Sequence, residues 1–185
     1  MARRVQISVV GYEEDSCTDV AREAAYRVGK AIAKEGGTVV CGGLGGVMEA
    51  ASKGAIEAGG HALGIIPSSD SSEANRYCDC VVSTGMGRSR NFLVAYSGDA
   101  MVVVGGGAGT LTEAAAAYQA GKPVVAVKGT GGVADEWAGR YFDERRTSKV
   151  LQGRSPEGAV KMAVRELSRR GARSGNARAK KTKGA

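Results

Sequence analysis

Residues 101–127 read MVVVGGGAGTLTEAAAAYQAGKPVVAV. The stretch opens with a short apolar run, passes through a glycine-rich turn from Gly105 to Gly109 and a helical segment that begins at Thr110, and ends with a second β-branched run after Gly121. This order predicts strand, loop, helix and strand, and two parallel strands need such a crossover. The backbone N–H groups of a glycine turn and the positive end of the following helix together form an anion site. The stretch therefore predicts a phosphate-binding loop.

The rest of the chain repeats this alternation of strand and helix. Apolar runs bounded by glycine, proline or polar residues predict the strands, and apolar residues at helical spacing predict the helices. We therefore predict an α/β fold, a doubly wound parallel sheet of six to seven strands with helices on both faces. Predicted strands cover 5–10, 38–41, 61–66, 79–83, 101–104, 124–127 and 148–151, and predicted helices cover 19–34, 47–57, 89–97, a segment from Thr110 to Gly121 and a last helix opened by Ser155 and Pro156.

Composition predicts one domain followed by a basic tail. The chain has 185 residues, of which 43% are hydrophobic, and this is enough for a single core. The formal net charge is +7, and five of these charges lie in residues 171–185, which contain no acidic residue. Because the tail has no apolar periodicity, we predict a single domain over residues 1–170 and disorder over residues 171–185. The five charges are Arg173, Arg178, Lys180, Lys181 and Lys183.

Other features narrow the class of protein. The N-terminal sequence MARRVQISVV does not follow the pattern of a signal peptide, and no apolar run approaches the ~20 residues of a membrane span, so we expect a cytoplasmic protein. Cys78, Cys80 and the single His61 fall short of a zinc site, and no metal site is predicted. The basic tail could contact nucleic acid, but no aromatic residue interleaves its charges, so nucleic acid is not an expected partner. The 29 glycines are expected in strand-to-helix turns.

Three glycine-rich turns follow predicted strands, at residues 42–46, 105–109 and 129–132. Loops that follow parallel strands lie at one edge of the sheet, and ligands bind there where the strand order reverses. No glycine turn is followed by Lys and then Ser or Thr, which argues against an ATP-hydrolysing loop. A structural role in tight turns is the alternative for the glycines. The candidate phosphate-binding residues are Gly42, Gly43, Gly45, Gly106, Gly107, Gly109 and Thr110.

Two side chains near the central loop have both a structural and a functional interpretation. Thr110 and Glu113 have the spacing of a capping box, in which both side chains bond backbone N–H groups of the first helical turn, worth ~1 kcal/mol. Glu113 could instead face a ligand. Arg90 could be a solvated helix residue, or its guanidinium could grip phosphate oxygens. The run from Ala114 to Ala117 could belong to the core or to a contact between subunits.

The glycine loop carries a family resemblance. The sequence GGGAGT at residues 105–110 with Glu113, preceded by Arg90 and Asn91, resembles the signature of the Lonely-Guy (LOG) phosphoribohydrolases, a family often mislabelled lysine decarboxylase. That signature is Pro-Gly-Gly-x-Gly-Thr-x-x-Glu with an upstream Arg-Lys pair. Gly105 stands in place of the proline and Asn91 in place of the lysine. These departures resemble a side branch of the same superfamily, which includes the molybdenum cofactor carrier proteins.

The resemblance implies a Rossmann-like fold, a homodimer or homotetramer, and two functions that stay open. One is a binding protein that carries a nucleotide or a molybdopterin-type cofactor without turnover, with the molybdenum cofactor as its cargo. The other is a LOG-type phosphoribohydrolase, which needs no cofactor and cleaves the N-glycosidic bond of a nucleoside 5′-monophosphate to a free base and ribose 5-phosphate. In the enzyme, Arg90 and Glu113 would be the catalytic pair.

Overall fold

The chain alternates strand and helix from β1 to α6. A computed structural model describes the backbone of residues 3–182 and the side chains of residues 3–171. The strands are β1 (Gln6–Gly11), β2 (Thr38–Cys41), β3 (His61–Ile66), β4 (Cys80–Ser83), β5 (Ala100–Val104), β6 (Val124–Val127) and β7 (Leu151–Gly153). The helices are α1 (Asp19–Lys34), α2 (Val47–Glu57), α3 (Asn91–Ser97), α4 (Ala108–Gln119), α5 (Gly132–Trp137) and α6 (Pro156–Thr182).

The strands form one seven-stranded parallel sheet in the order β4-β3-β2-β1-β5-β6-β7. Helices α1, α2 and α6 pack on one face, and α3, α4 and α5 pack on the other. Because both faces are covered, β5 is buried along its whole length, as the unbroken apolar run in its sequence predicts. The Rossmann-like, doubly wound fold is therefore confirmed. The strand order reverses between β1 and β5, and this reversal positions the site described below.

The central unit predicted from residues 101–127 forms β5, α4 and β6. The alanine run of α4 lies in the core: Ala114, Ala116 and Ala117 are buried in the hydrophobic cluster between this helix and the sheet. The core interpretation of this run is therefore the one that the structure supports. Within residues 3–182, no helix combines the length and the apolar composition that a membrane crossing requires.

The structure differs from the predictions at the C-terminal end. The last strand is Leu151–Gly153, shifted from the predicted 148–151, and the segment after β6 contains the short helix α5. Helix α6 opens as predicted, with the Ser155 hydroxyl accepting a 3.1 Å hydrogen bond from the Gly158 N–H. Its backbone continues to Thr182, through most of the predicted disordered tail, because Ala, Arg and Lys have high helix propensity even without an apolar stripe. Residues 183–185 and the tail's side chains lie outside the described part of the chain.

Gly29 and Gly54 lie in the interiors of two packed helices, contrary to the expectation that glycines occupy turns. Gly29 of α1 and Gly54 of α2 let the two helices cross at close range. A Cβ atom at Gly29 would lie 1.9 Å from the carbonyl oxygen of Ala51, and a Cβ at Gly54 would lie 2.0 Å from that of Tyr26. The absence of a side chain is therefore a condition for the packing of α1 against α2.

We expect Gly54→Ala to lower the free energy of unfolding by about 2 kcal/mol or more, because the added methyl group forces α1 and α2 apart. Urea denaturation followed by circular dichroism measures this change. Gly171→Ala is the matched control, since Gly171 also lies in a helix but an added Cβ there meets no heavy atom of the described residues within 4 Å. We expect Gly171→Ala to leave stability unchanged or slightly raised. An equal loss in both variants would contradict the close-packing explanation.

Candidate functional site

A cavity of about 450 Å³ lies at the carboxyl ends of the parallel strands. Its walls come from the loop after β1, the start of α2, the segment before α3 and the first turns of α4. This is the crevice that opens where the strand order reverses between β1 and β5, the usual ligand position in open α/β sheets. The fold therefore places a cavity next to the predicted phosphate loop.

The loop between β5 and α4 is held by α5. Gly105 and Gly106 have φ values of +60° and +99°, in the region that favours glycine. The Gly105 N–H donates a 2.8 Å hydrogen bond to the Thr130 hydroxyl. The carbonyl groups of Gly105 and Gly106 accept hydrogen bonds from the N–H groups of Ala134 (3.1 Å) and Val133 (2.9 Å). These bonds fix the position of the following helix.

The first turn of α4 has no capping side chain. Its N-cap residue is Gly107, and no side chain of the described residues accepts from the N–H groups of the turn. The predicted capping box is not formed: the Thr110 hydroxyl donates to the carbonyl oxygen of Gly11 at 3.0 Å, and Glu113 faces Arg90. The first N–H groups of a helix lack partners inside the helix, and the helix dipole makes this end positive. Residues 107–110 line the cavity, so this end is available to an anion.

The other two glycine turns are closed by carboxylates of the chain itself. Glu14 accepts a 2.6 Å hydrogen bond from the Gly46 N–H at the start of α2. Asp135 accepts from the N–H groups of Gly129 (2.6 Å) and Gly131 (3.0 Å) after β6. In both turns an internal carboxylate occupies the position that an external anion would take. Among the three predicted turns, only the one before α4 is left open.

Four of the seven predicted phosphate-binding residues do not line the cavity. A Cβ at Gly42 would lie 2.4 Å from Nη2 of Arg90, and a Cβ at Gly43, whose φ is +72°, would lie 2.5 Å from Cγ2 of Ile66. Close packing explains these glycines. The four that stand away from the cavity are Gly42, Gly43, Gly45 and Gly106. The three that line it are Gly107, Gly109 and Thr110.

Arg90 is buried at the cavity wall and is not a solvated helix residue. Only 7% of the residue is exposed. Its Nη2 donates to the carbonyl oxygen of Gly42 at 3.1 Å, and its Nη1 donates to Oδ1 of Asn91 and lies 3.7 Å from Oε1 of Glu113. Its Nε is buried and has no hydrogen-bond partner within the described residues. Burial lowers the pKa of Arg90, because removing a charge from water disfavours the charged form.

Glu113 is the second buried ionisable group of the cavity. Burial raises its pKa to about 7, against the opposing effect of Arg90, whose positive charge favours the carboxylate. Its carboxyl oxygens accept no hydrogen bond from a protein group in the part of the chain that the structure describes. A carboxyl group with a pKa near neutrality can hold or release a proton at physiological pH. The pair therefore combines a fixed positive charge with a titratable group.

Sequence reasoning missed the loop after β1. Tyr12 and Glu13 line the cavity, and so does Arg88 from the segment before α3. Tyr12 also accounts for the departure from the LOG signature at Gly105: a Cβ there would lie 2.2 Å from Cε2 of Tyr12, and proline cannot adopt the φ of +60°. The rule that ligands bind at the strand-order reversal pointed to the loop after β1, since β1 is one of the two strands at that reversal.

The cysteines do not assemble a metal site with other ligands. Across residues 3–171, whose side chains the structure describes, no group of three or more His, Cys, Asp or Glu side chains is arranged to hold a metal ion. All four cysteines are free thiols, and Cys41 is buried at the end of β2.

Comparison with known proteins identifies the family. Residues 4–160 match the family model described as the SLOG cluster4 family. An uncharacterised protein of Archaeoglobus fulgidus is 43% identical over 124 residues, which are 67% of this chain and 80% of that protein.

Several solved structures are similar over most of the chain, among them two proteins with a described function. The molybdenum cofactor binding protein of Rippkaea orientalis has 33% identity and a TM-score of 0.77, covering 88% of this chain and 96% of that chain. The molybdenum cofactor carrier protein of Chlamydomonas reinhardtii has 34% identity and a TM-score of 0.75, covering 89% and 98%. These matches confirm the resemblance to a LOG-like side branch that includes molybdenum cofactor carriers. The chain belongs to the SLOG cluster4 family.

Proposed function

We propose that the protein binds and carries a small phosphorylated ligand, of the molybdopterin or nucleotide class, with the phosphate at the first turn of α4. The observation that supports this proposal is the difference between the three glycine turns. Carboxylates of the chain occupy the turns beside α2 and α5, whereas the turn before α4 has no side-chain cap and opens into the cavity. An anion at this position takes the hydrogen-bonding role that Glu14 and Asp135 have in the other two turns.

Arg90 supplies the second part of the phosphate site. Its guanidinium is held by the Gly42 carbonyl and by Asn91, and its buried Nε–H has no partner among the described residues. A buried N–H without a partner is costly, and hydrogen bonds between a guanidinium and phosphate oxygens are among the stronger ones in proteins. Arg90 and the first turn of α4 line the same cavity, so a phosphate between them would meet positive charge from both.

The cargo is best assigned to the molybdenum cofactor class. The similar proteins of Rippkaea orientalis and Chlamydomonas reinhardtii are a molybdenum cofactor binding protein and a molybdenum cofactor carrier protein. Asn91, in place of the lysine of the LOG signature, accepts a hydrogen bond from Arg90 and turns that position into a support for the guanidinium. A guanidinium held in place by Asn91 can bind an anion without taking part in a reaction, which suits a carrier because a carrier needs affinity without turnover.

The phosphate site is tested by placing a carboxylate of the chain where the phosphate would bind. Gly109 lies in the first turn of α4, and an added Cβ meets only Nδ2 of Asn91, at an ordinary contact distance of 3.6 Å. We expect Gly109→Asp to abolish stabilisation by AMP in a thermal-shift assay, because its carboxylate competes for the same N–H groups. The melting temperature of the free protein should not fall, since an acidic residue near a helix N-terminus is favourable.

Gly109→Asn is the matched control, because it has the same shape without the charge. We expect it to retain a larger part of the AMP response than Gly109→Asp. Adenosine is the ligand control, and it should not stabilise the wild-type protein as AMP does. Equal stabilisation by AMP and adenosine would refute a phosphate site at α4.

LOG-type hydrolysis is the second candidate function, and the buried pair of Arg90 and Glu113 favours it. Glu113, with a pKa of about 7, could orient a water or stabilise positive charge at the anomeric carbon while Arg90 supports the departing base. Water would then add across the N-glycosidic bond to give a free base and ribose 5-phosphate.

Native mass spectrometry followed by denaturation separates the two candidates. A carrier should release a pterin or a molybdenum-containing species, whereas a hydrolase substrate should appear as a nucleoside monophosphate. In assays with nucleoside monophosphates, we expect no turnover by the wild-type protein. If turnover occurs and Glu113→Gln abolishes it while keeping affinity for AMP, the carrier assignment is wrong and the enzyme is established.

The protein is also proposed to form a homodimer or homotetramer, through the outer side of α3. Phe92 and Tyr96 are 45% and 50% exposed, and their ring centroids are 6.2 Å apart. Exposed aromatic pairs are typical of protein contacts.

We expect Phe92→Asp to reduce the mass measured by size exclusion with light scattering. Val20→Asp, at a 61% exposed position of α1, is the matched control and should leave the mass unchanged. A monomeric wild-type protein would refute the assembly.

A further inference from the structure

Glu113 is close to both parts of the proposed phosphate site. Its Oε1 lies 3.7 Å from Nη1 of Arg90, and the side chains of both residues are only 8% exposed. It also lies four residues after Gly109 on α4, a distance of about 6 Å along the helix axis. Any anion that bridges Arg90 and the first turn of α4 therefore sits beside the Glu113 carboxyl group.

The charged and titratable groups around Glu113 come from three other elements. Arg90, before α3, favours the carboxylate form, whereas Glu13 after β1 and Cys41 at the end of β2 disfavour it. Arg88 lies on the cavity wall but is exposed. Arg90 is thus the buried positive charge that favours the ionised form of Glu113 in the free protein, against the effect of burial. A phosphate at the site would pair with Arg90, and its own negative charge would disfavour the carboxylate form of Glu113.

We propose that loading of the phosphorylated ligand is coupled to the uptake of one proton by Glu113. This inference rests on the proposed phosphate site and describes its regulation. The proton passes from solvent to a carboxylate oxygen of Glu113, so the carboxyl group becomes neutral and its O–H can donate to an oxygen of the ligand. Arg90 is then released from Glu113 and pairs with the phosphate. Loss of the proton restores the Arg90 pair and repels the ligand.

The sign of the pH dependence follows from this coupling. The pKa of Glu113 is about 7 in the free protein, and a nearby anion raises it further. Between the free and the bound pKa, affinity falls as pH rises, by up to about tenfold per pH unit for one proton. Below the free pKa, Glu113 is already protonated and the dependence disappears. A phosphomonoester is fully ionised above pH ~7, because its second pKa is ~6, so the ligand does not contribute to the fall.

Isothermal titration calorimetry with AMP tests the coupling. Titrations at pH 8 in two buffers of different ionisation enthalpy report the number of protons taken up on binding. For the wild-type protein we expect an uptake approaching one proton, and a dissociation constant that rises about tenfold between pH 7.5 and 8.5. Glu113→Gln should bind AMP with no proton uptake and with an affinity that stays level over this range.

Cys41→Ser is the control for the other titratable side chain beside the pair. It removes the thiol from the end of β2 and should keep both the proton uptake and the slope. Binding without proton uptake, or an undiminished slope in Glu113→Gln, would overturn the coupling and leave the phosphate site intact. If Cys41→Ser instead abolished the proton uptake and the slope, Cys41 would be the group that takes up the proton, and this would also overturn the coupling to Glu113. Failure of AMP to bind at pH 7 would refute the phosphate site itself and the coupling with it.

Discussion

The reversal of strand order between β1 and β5 is the constraint on which the rest of the molecule depends. The chain adds strands outward from β1 in one direction and then returns to add β5, β6 and β7 on the other side. The connections after β1 and β5 leave the sheet toward opposite faces, which opens a crevice at their carboxyl ends. The cavity lies there because the topology leaves the crevice unfilled, and the first turn of α4 points into it.

A parallel sheet places several positive helix ends at the same edge, and each of them can hold a negative group. This protein satisfies two of them with its own carboxylates, Glu14 beside α2 and Asp135 beside α5. Those turns are thereby fixed by internal hydrogen bonds and do not compete for an external anion. Among the three glycine turns, only the one before α4 has no carboxylate on its N–H groups within the described residues, and this is the turn at which we propose that the anion binds.

Unlike the two turns closed by carboxylates, the buried pair of Arg90 and Glu113 has few hydrogen-bond partners. Arg90 retains an unpartnered buried Nε–H within the described residues, and burial shifts both groups toward their neutral forms. Removing two charges from water costs more than a 3.7 Å separation recovers, so the pair is a poor source of stability. Unsatisfied buried groups of this kind are typical of binding and catalytic sites.

The sequence by itself determined the fold and the central loop. The alternation of β-branched runs and helical stripes predicted the parallel sheet, because local periodicity is a direct property of the chain, and residues 101–127 predicted β5, α4 and β6 with small shifts at their ends. Tertiary structure decided which glycines line the cavity and whether Thr110 caps its helix or bonds Gly11. It also decided that Arg90 is buried against Glu113. These features join elements distant along the chain, and packing between distant segments leaves no periodic signal in a single sequence.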